Sequence, residues 1–161
     1  MLSVFMPLTV PAQENESLKW HKYEISFTSS NSYDNPVQQV RTFEVNFISP
    51  TGVKKTINGF WDGGPLWKVR FMPDEAGRWS YETVCSDVKN EGLHGKKGTF
   101  LCKHSSNETH SIYKHGPVTN PKGTFHLTHS DGTPFFWLAC TAWNGALKST
   151  DQEWDQYLQH R

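Results

Sequence analysis

Residues 58 to 81 read Asn58-Gly-Phe-Trp-Asp-Gly-Gly-Pro-Leu-Trp-Lys-Val-Arg-Phe-Met-Pro-Asp-Glu-Ala-Gly-Arg-Trp-Ser-Tyr81. Two alternations stand in this stretch. Trp67, Val69 and Phe71 are separated by Lys68 and Arg70, and Trp79 and Tyr81 by Ser80. Successive side chains of an extended chain point to opposite faces, so this period of two marks strands with one face on a core. The connecting residues Pro73 to Gly77 and the preceding Asp62-Gly63-Gly64 carry turn chemistry. The stretch therefore reads as neighbouring half-buried strands, with Trp67 and Trp79 in phase with the core.

Working outward, the same period recurs at Tyr23, Ile25 and Phe27, and again at Phe43, Val45 and Phe47. Asp34-Asn35-Pro36 and Pro50-Thr51-Gly52 punctuate these runs, and a strand from Gly98 to Lys103 closes the module. Short strands with no helical segment between them predict an antiparallel, immunoglobulin-like β-sandwich over residues 18–104. Residues 1–17 read as an extended lead-in. Pro7 and Pro11 interrupt it and no basic segment precedes its apolar part, so it makes no convincing signal peptide. Residues 105–122, hydrophilic and containing Gly116-Pro117, read as an interdomain linker.

Beyond residue 122 the pattern changes. Ser130-Asp131-Gly132 lies between Thr124–Thr128 and Pro134–Thr141, which is a hairpin signal. The run Phe135-Phe136-Trp137-Leu138-Ala139-Cys140 is apolar on both faces, as in a strand covered on both sides. Thr150 followed by Glu153 is a capping box, and Trp154, Tyr157 and Leu158 form a stripe at helical spacing. Residues 123–161 thus read as the first strand and helix of a truncated (β/α)8 barrel, the remainder of which lies past Arg161.

Composition narrows the function classes. Lys and Arg number 16, as do Asp and Glu, so there is no electrostatic footprint for nucleic acid. No run of about 18 apolar residues offers a membrane span. The three cysteines have no CxxC spacing. Cys85 and Cys102 can pair only across strands in an exported protein, and free buried thiols are the preferred reading. Eight histidines fit no zinc pattern, so neither a metal nor another cofactor is expected. Asn15-Glu-Ser17 and Asn107-Glu-Thr109 fit a glycosylation pattern that also arises by chance.

The segment 58–81 resembles a β-sandwich domain of unknown function found at the N-terminus of bacterial glycoside hydrolases. His115-Gly-Pro-Val, Phe125 and Asp131-Gly-Thr-Pro-Phe-Phe-Trp-Leu-Ala-Cys-Thr-Ala-Trp143 resemble the entry into an apiosidase-like (β/α)8 catalytic domain, with a departure at Cys140. The resemblance implies a glycoside hydrolase acting on O-glycosidic bonds of a polysaccharide. The alternative is a non-catalytic carbohydrate-binding or adhesion module.

Glycosidases usually place two carboxyl groups across the scissile bond. Here Asp131 falls in a turn, and Asp151, Glu153 and Asp155 at the front of a helix, so no catalytic residue is assigned. The carboxylates are expected past the end of the chain, which by itself is expected to be inactive. At the exit of the predicted barrel strand stand Thr141, Trp143 and Asn144, candidates to contact sugar: an indole packs on the apolar face of a ring, and an amide bonds hydroxyls. Trp61, beside Asp62-Gly63-Gly64, is the candidate sugar platform of the sandwich.

Overall fold

The structure, a computed structural model, describes residues 15–160. The N-terminal residues that bear on a leader peptide lie outside the described part. The chain divides into two compact units, one ending at Pro117 and the other starting at Val118.

The first unit contains β1 (Glu16–Leu18), β2 (Tyr23–Thr28), α1 (Pro36–Gln39), β3 (Phe43–Ile48), β4 (Lys54–Asn58), β5 (Phe60–Trp61), β6 (Leu66–Phe71), β7 (Gly77–Cys85), β8 (Lys97–Lys103) and α2 (Ser111–His115). They form a five-stranded sheet in the order β1-β8-β7-β3-β4 and a three-stranded sheet in the order β2-β6-β5. Every strand that alternation marks is present. Its apolar phase faces inward: Phe43, Val45, Phe47, Trp67, Val69, Phe71, Trp79 and Phe100 are buried in one core. Rings from the two sheets meet there, Phe47 on Phe71 at 4.3 Å, Tyr23 on Phe100 at 4.0 Å, and Phe71 edge-on to Trp79 at 5.0 Å. The unit is a two-layer β arrangement built on aromatic contacts between its sheets.

Three elements of this unit depart from the sequence reading. Glu16 and Ser17, assigned to the lead-in, belong to β1, which pairs in parallel with β8 through Glu16↔Leu101 and Leu18↔Lys103. Asn35 caps a helical turn, accepting from the Gln38 amide, where only a turn is expected. Strand β4 pairs with β3 from Glu44↔Asn58 to Ile48↔Lys54, although Ile57 is its only large apolar residue.

Cys85 and Cys102 are both free and buried. Their registers explain why they do not bridge: Cys85 lies opposite Phe43 at one end of β7, while Cys102 lies opposite Gly77 at the other. At about 3.3 Å per residue those ends of β7 are about 26 Å apart. Burial pushes both thiols up, that of Cys102 to about 11, so neither is a ready nucleophile.

A satisfied polar network ties two loops together at one end of the unit. Asn90 is fully buried and donates to Ser29 Oγ at 2.7 Å and Tyr33 Oη at 2.8 Å. Its Oδ1 accepts from the Ser30 and Gly92 amides, both at 3.1 Å. Tyr33 and Asn31 donate in turn to Asp87, holding its carboxyl below the usual range. Gly92 sits so close to this loop that a Cβ would lie 1.9 Å from the Thr28 carbonyl oxygen.

The start of the 105–122 stretch, expected as linker, is folded in the first unit. His110 caps α2, Tyr113 stacks on His21 at 4.1 Å, and Glu108 meets His21 Nε2 at 2.7 Å.

The second unit contains β9 (Val118–Thr119), β10 (Leu127–His129), β11 (Pro134–Phe135), α3 (Gly145–Lys148) and α4 (Asp151–Gln159). The hairpin forms as its turn chemistry requires. Gly132 adopts φ 89°, Thr133 donates its amide to Asp131 at 2.9 Å, and Leu127 faces Phe135. The Thr150 capping box starts α4, with Trp154 stacked on Tyr157 at 5.3 Å. The long barrel strand does not form. Only Pro134 and Phe135 are strand, paired on one side by β10, while Phe136, Trp137 and Leu138 are 85%, 71% and 84% exposed. A strand unpaired along its other edge gains too few hydrogen bonds to stay extended, and what is folded is a small antiparallel sheet with two helices.

Candidate functional site

In the first unit the Trp61 candidate is built by the corner where β4 passes into β5 through Gly59. Gly59 lies against Phe43: a Cβ there would stand 2.3 Å from the Phe43 ring, so only glycine permits the crossing. Trp61 lies opposite Trp67 in the β5–β6 register and shares its face. Trp67, one strand further in, is buried at 4% exposure, whereas Trp61 at the sheet edge remains 39% exposed. The indole N–H of Trp61 donates to the Gly64 carbonyl at 2.9 Å, so the Asp62-Gly63-Gly64 turn fixes the ring plane.

A groove of about 530 Å³ opens beside this ring, with Arg41, Glu44, Asn58 and Phe60 also on its walls and Trp67 behind them. Volumes of roughly 300–1,000 Å³ are typical of small-molecule sites. Glu44 and Asn58 are directly opposite each other across β3 and β4 and project on the same side. Among the described residues, neither Arg41 nor Glu44 makes an ion pair, and the Asn58 amide has no hydrogen-bond partner. The buried Trp67 Nε1–H is likewise without one, a state that costs about 1–3 kcal/mol. Nearby polar groups are occupied: Lys68 bridges Asp62 at 2.5 Å, and Arg70 binds Glu24 at 2.6 Å while covering Phe60.

In the second unit Thr141, Trp143 and Asn144 lie on one short connection leading into α3. All three are exposed, Trp143 to 90%. Trp143 has φ 41°, in the left-handed region that non-glycine residues avoid at a cost of about 1–2 kcal/mol. That backbone turn throws the indole outward. Asn144 occupies the N-cap of α3, yet its side chain makes no capping bond; its carbonyl accepts from Leu147 and Lys148 instead, leaving the amide available. Behind them Gly145 packs on Trp154, where a Cβ would meet the ring at 3.0 Å. Helix α4 thus supports the connection that carries Trp143.

Sequence reading missed Arg41, Glu44 and Asn58, which come from two segments, Glu44 and Asn58 being brought together by strand register. It also missed a smaller groove, about 230 Å³, between Trp20, Glu108 and Tyr113. The φ of 64° at Trp20 marks it in the backbone and leaves no trace in composition. Among the described residues no group of three or more His, Cys, Asp or Glu side chains is arranged to hold a metal ion. No helix among them is long and apolar enough to cross a membrane.

Comparison with known proteins matches two separate segments of the chain. Residues 16–86 match a domain of unknown function, DUF5060, and residues 121–161 match the apiosidase-like catalytic domain. A crystal structure from Bacteroides vulgatus, of a protein provisionally called a glycoside hydrolase, superposes on 87% of this chain with a TM-score of 0.66 and 28% identity. The match covers 25% of that protein, so the chain spans about a quarter of its relative's length. The Lin-41 filamin domain aligns over 58% of this chain and 88% of its own at a TM-score of 0.40 and 12% identity. No curated protein matches the sequence. Residues 16–86 are thus similar to a DUF5060 domain and residues 121–161 to part of an apiosidase-like catalytic domain, and the fold resembles that of a protein provisionally called a glycoside hydrolase.

Proposed function

We propose that this chain is the non-catalytic front of a glycoside hydrolase that cleaves O-glycosidic bonds of a polysaccharide. The observation that carries the reading is the succession itself: a β domain similar to DUF5060, matched over residues 16–86, precedes an apiosidase-like segment matched over residues 121–161. In this reading residues 18–104 form the accessory domain, and residues 123–161 supply one strand-and-helix unit of the catalytic barrel. The apolar run 136–138 is covered in the barrel by neighbouring strands.

Thr141, Trp143 and Asn144 hold substrate at the mouth of that barrel. The exposed indole packs on the apolar face of a sugar ring, and the uncapped amide and the threonine hydroxyl bond its hydroxyls. The carboxylic acid and carboxylate that break the bond come from other barrel strands. In this chain Glu153 has its carboxylate engaged by the Thr150 amide at 2.8 Å and hydroxyl at 2.9 Å, which lowers its pKa and suits a cap rather than a proton donor.

The test compares the chain alone with a protein that carries the whole barrel. Nitrophenyl glycosides and reducing-sugar release from plant and algal polysaccharides are the readouts. Turnover is expected only with the whole barrel, and Trp143→Ala in that protein is expected to raise KM about tenfold or more. Turnover by residues 1–161 alone overturns the non-catalytic assignment. An unchanged KM in Trp143→Ala removes the sugar contact.

A further inference from the structure

Outside the apiosidase-like segment, the Trp61 groove gathers features that folding does not use. Three residues with hydrogen-bonding side chains, Arg41, Glu44 and Asn58, line it, and none of the three makes an ion pair or side-chain hydrogen bond among the described residues. The Trp67 indole N–H behind them is buried and unpaired. The Trp61 indole is anchored by its bond to Gly64 and remains 39% exposed. Four other polar side chains of the unit are engaged: Asn90 has all its donors and acceptors bonded, and Lys68, Arg70 and Glu24 are paired.

The geometry points to a second, non-catalytic saccharide-binding site in this groove, one that takes a neutral stretch of the same polysaccharide. This rests on the reading of the chain as part of a polysaccharide hydrolase. An aromatic plane beside planar hydrogen-bonding groups suits a sugar, whose ring offers apolar C–H faces and whose rim offers hydroxyls. One cation and one anion on the walls cancel, which favours a neutral polymer over a uronate. Trp61 is the stacking platform, while Arg41, Glu44 and Asn58 bond hydroxyls. Such a site raises the local concentration of polymer near the catalytic domain through linkage rather than through a new chemical step.

Affinity electrophoresis of residues 1–161 in gels cast with xylan, glucomannan, galactan, laminarin or polygalacturonate tests the assignment. Retardation is expected in at least one neutral gel and not in polygalacturonate. Trp61→Ala is expected to reduce it about tenfold or more, and the exposed Arg41→Ala and Asn58→Ala by smaller factors. Trp61→Phe keeps a flat ring and is expected to retain part of the binding, which separates loss of the platform from loss of the fold. Three results overturn the site: no retardation in any neutral gel, retardation in polygalacturonate alone, or wild-type retardation in both Trp61→Ala and Arg41→Ala. None of these touches hydrolysis by the whole-barrel protein, so the groove and the hydrolase reading fail separately.

Discussion

Two tryptophan-bearing runs of six residues, Leu66–Phe71 and Phe135–Cys140, meet opposite fates. The first is interrupted by Lys68 and Arg70, yet it is a full strand with Trp67, Val69 and Phe71 buried. The second is apolar throughout, yet only its first residue is in a strand and Phe136 to Leu138 face outward. Their edges differ. Leu66–Phe71 is paired along its whole length by β2 and over Trp67 and Lys68 by β5, and its alternate side chains enter a core. Pro134–Phe135 has β10 on one side alone. Apolar content selects residues for burial, but paired edges determine whether a strand exists to bury them.

The largest test of this contrast lies in the core. Trp79→Ala removes a fully buried ring that packs on Phe71 and Phe100, and should destabilise the first unit by about 3–5 kcal/mol in denaturant titrations. A wild-type midpoint would mean that the sheets are not held by their aromatic contacts. Gly92→Ala comes next. Its Cβ would strike the Thr28 carbonyl and the Ser30 amide, both backbone atoms, so a loss of about 1–3 kcal/mol is expected. Gly123→Ala, where a Cβ meets nothing within 4 Å but φ is 83°, isolates backbone strain from collision.

A smaller effect concerns the attachment of α2. Ser105 at 2.5 Å and His21 at 2.7 Å hold the Glu108 carboxylate and lower its pKa. A depressed carboxyl stabilises the fold above its unfolded pKa and ceases to do so as pH falls through the folded value. Amide exchange at 111–116, compared between about pH 6 and about pH 3 after correction for intrinsic rates, should therefore show lost protection on the acid side. Equal protection at both would leave the Tyr113 stack as the sole anchor. The smallest effect sharpens the opening contrast: Trp137→Ala, at 71% exposure, should shift stability of this chain by no more than about 0.5 kcal/mol. A loss near that of Trp79→Ala would place the run 136–138 in a core.

The sequence was most legible where one residue in two carries the signal. Tyr23-Ile25-Phe27, Phe43-Val45-Phe47 and Trp67-Val69-Phe71 announce both their strands and their inward faces. Thr150 and Glu153 announce α4 because a capping box is local. Strand β4 escaped notice because Lys54-Lys-Thr-Ile-Asn58 owes its conformation to pairing with β3 rather than to its own pattern. Asn90 escaped because its partners, Ser29 and Tyr33, lie some 60 residues away in the chain. The groove was half visible for the same reason: Trp61 stands out as an aromatic beside two glycines, while Glu44 and Asn58 look like ordinary surface residues until β-sheet register brings them together beside Arg41.

The parallel pairing of β1 with β8 sets an order of events during synthesis. Glu16 emerges from the ribosome long before Leu101, and a parallel pair cannot be joined by a tight turn, so β1 has nothing to bind until nearly the whole unit has been made. Closing so long a loop is entropically costly, which places this edge among the last contacts to form and makes its formation slow. Until then β8 presents an unpaired edge beside the Trp79 hairpin, open to strands of other nascent chains. Docking of Glu16–Leu18, locked by the Glu16–Lys103 bridge at 2.5 Å, withdraws that edge from such encounters.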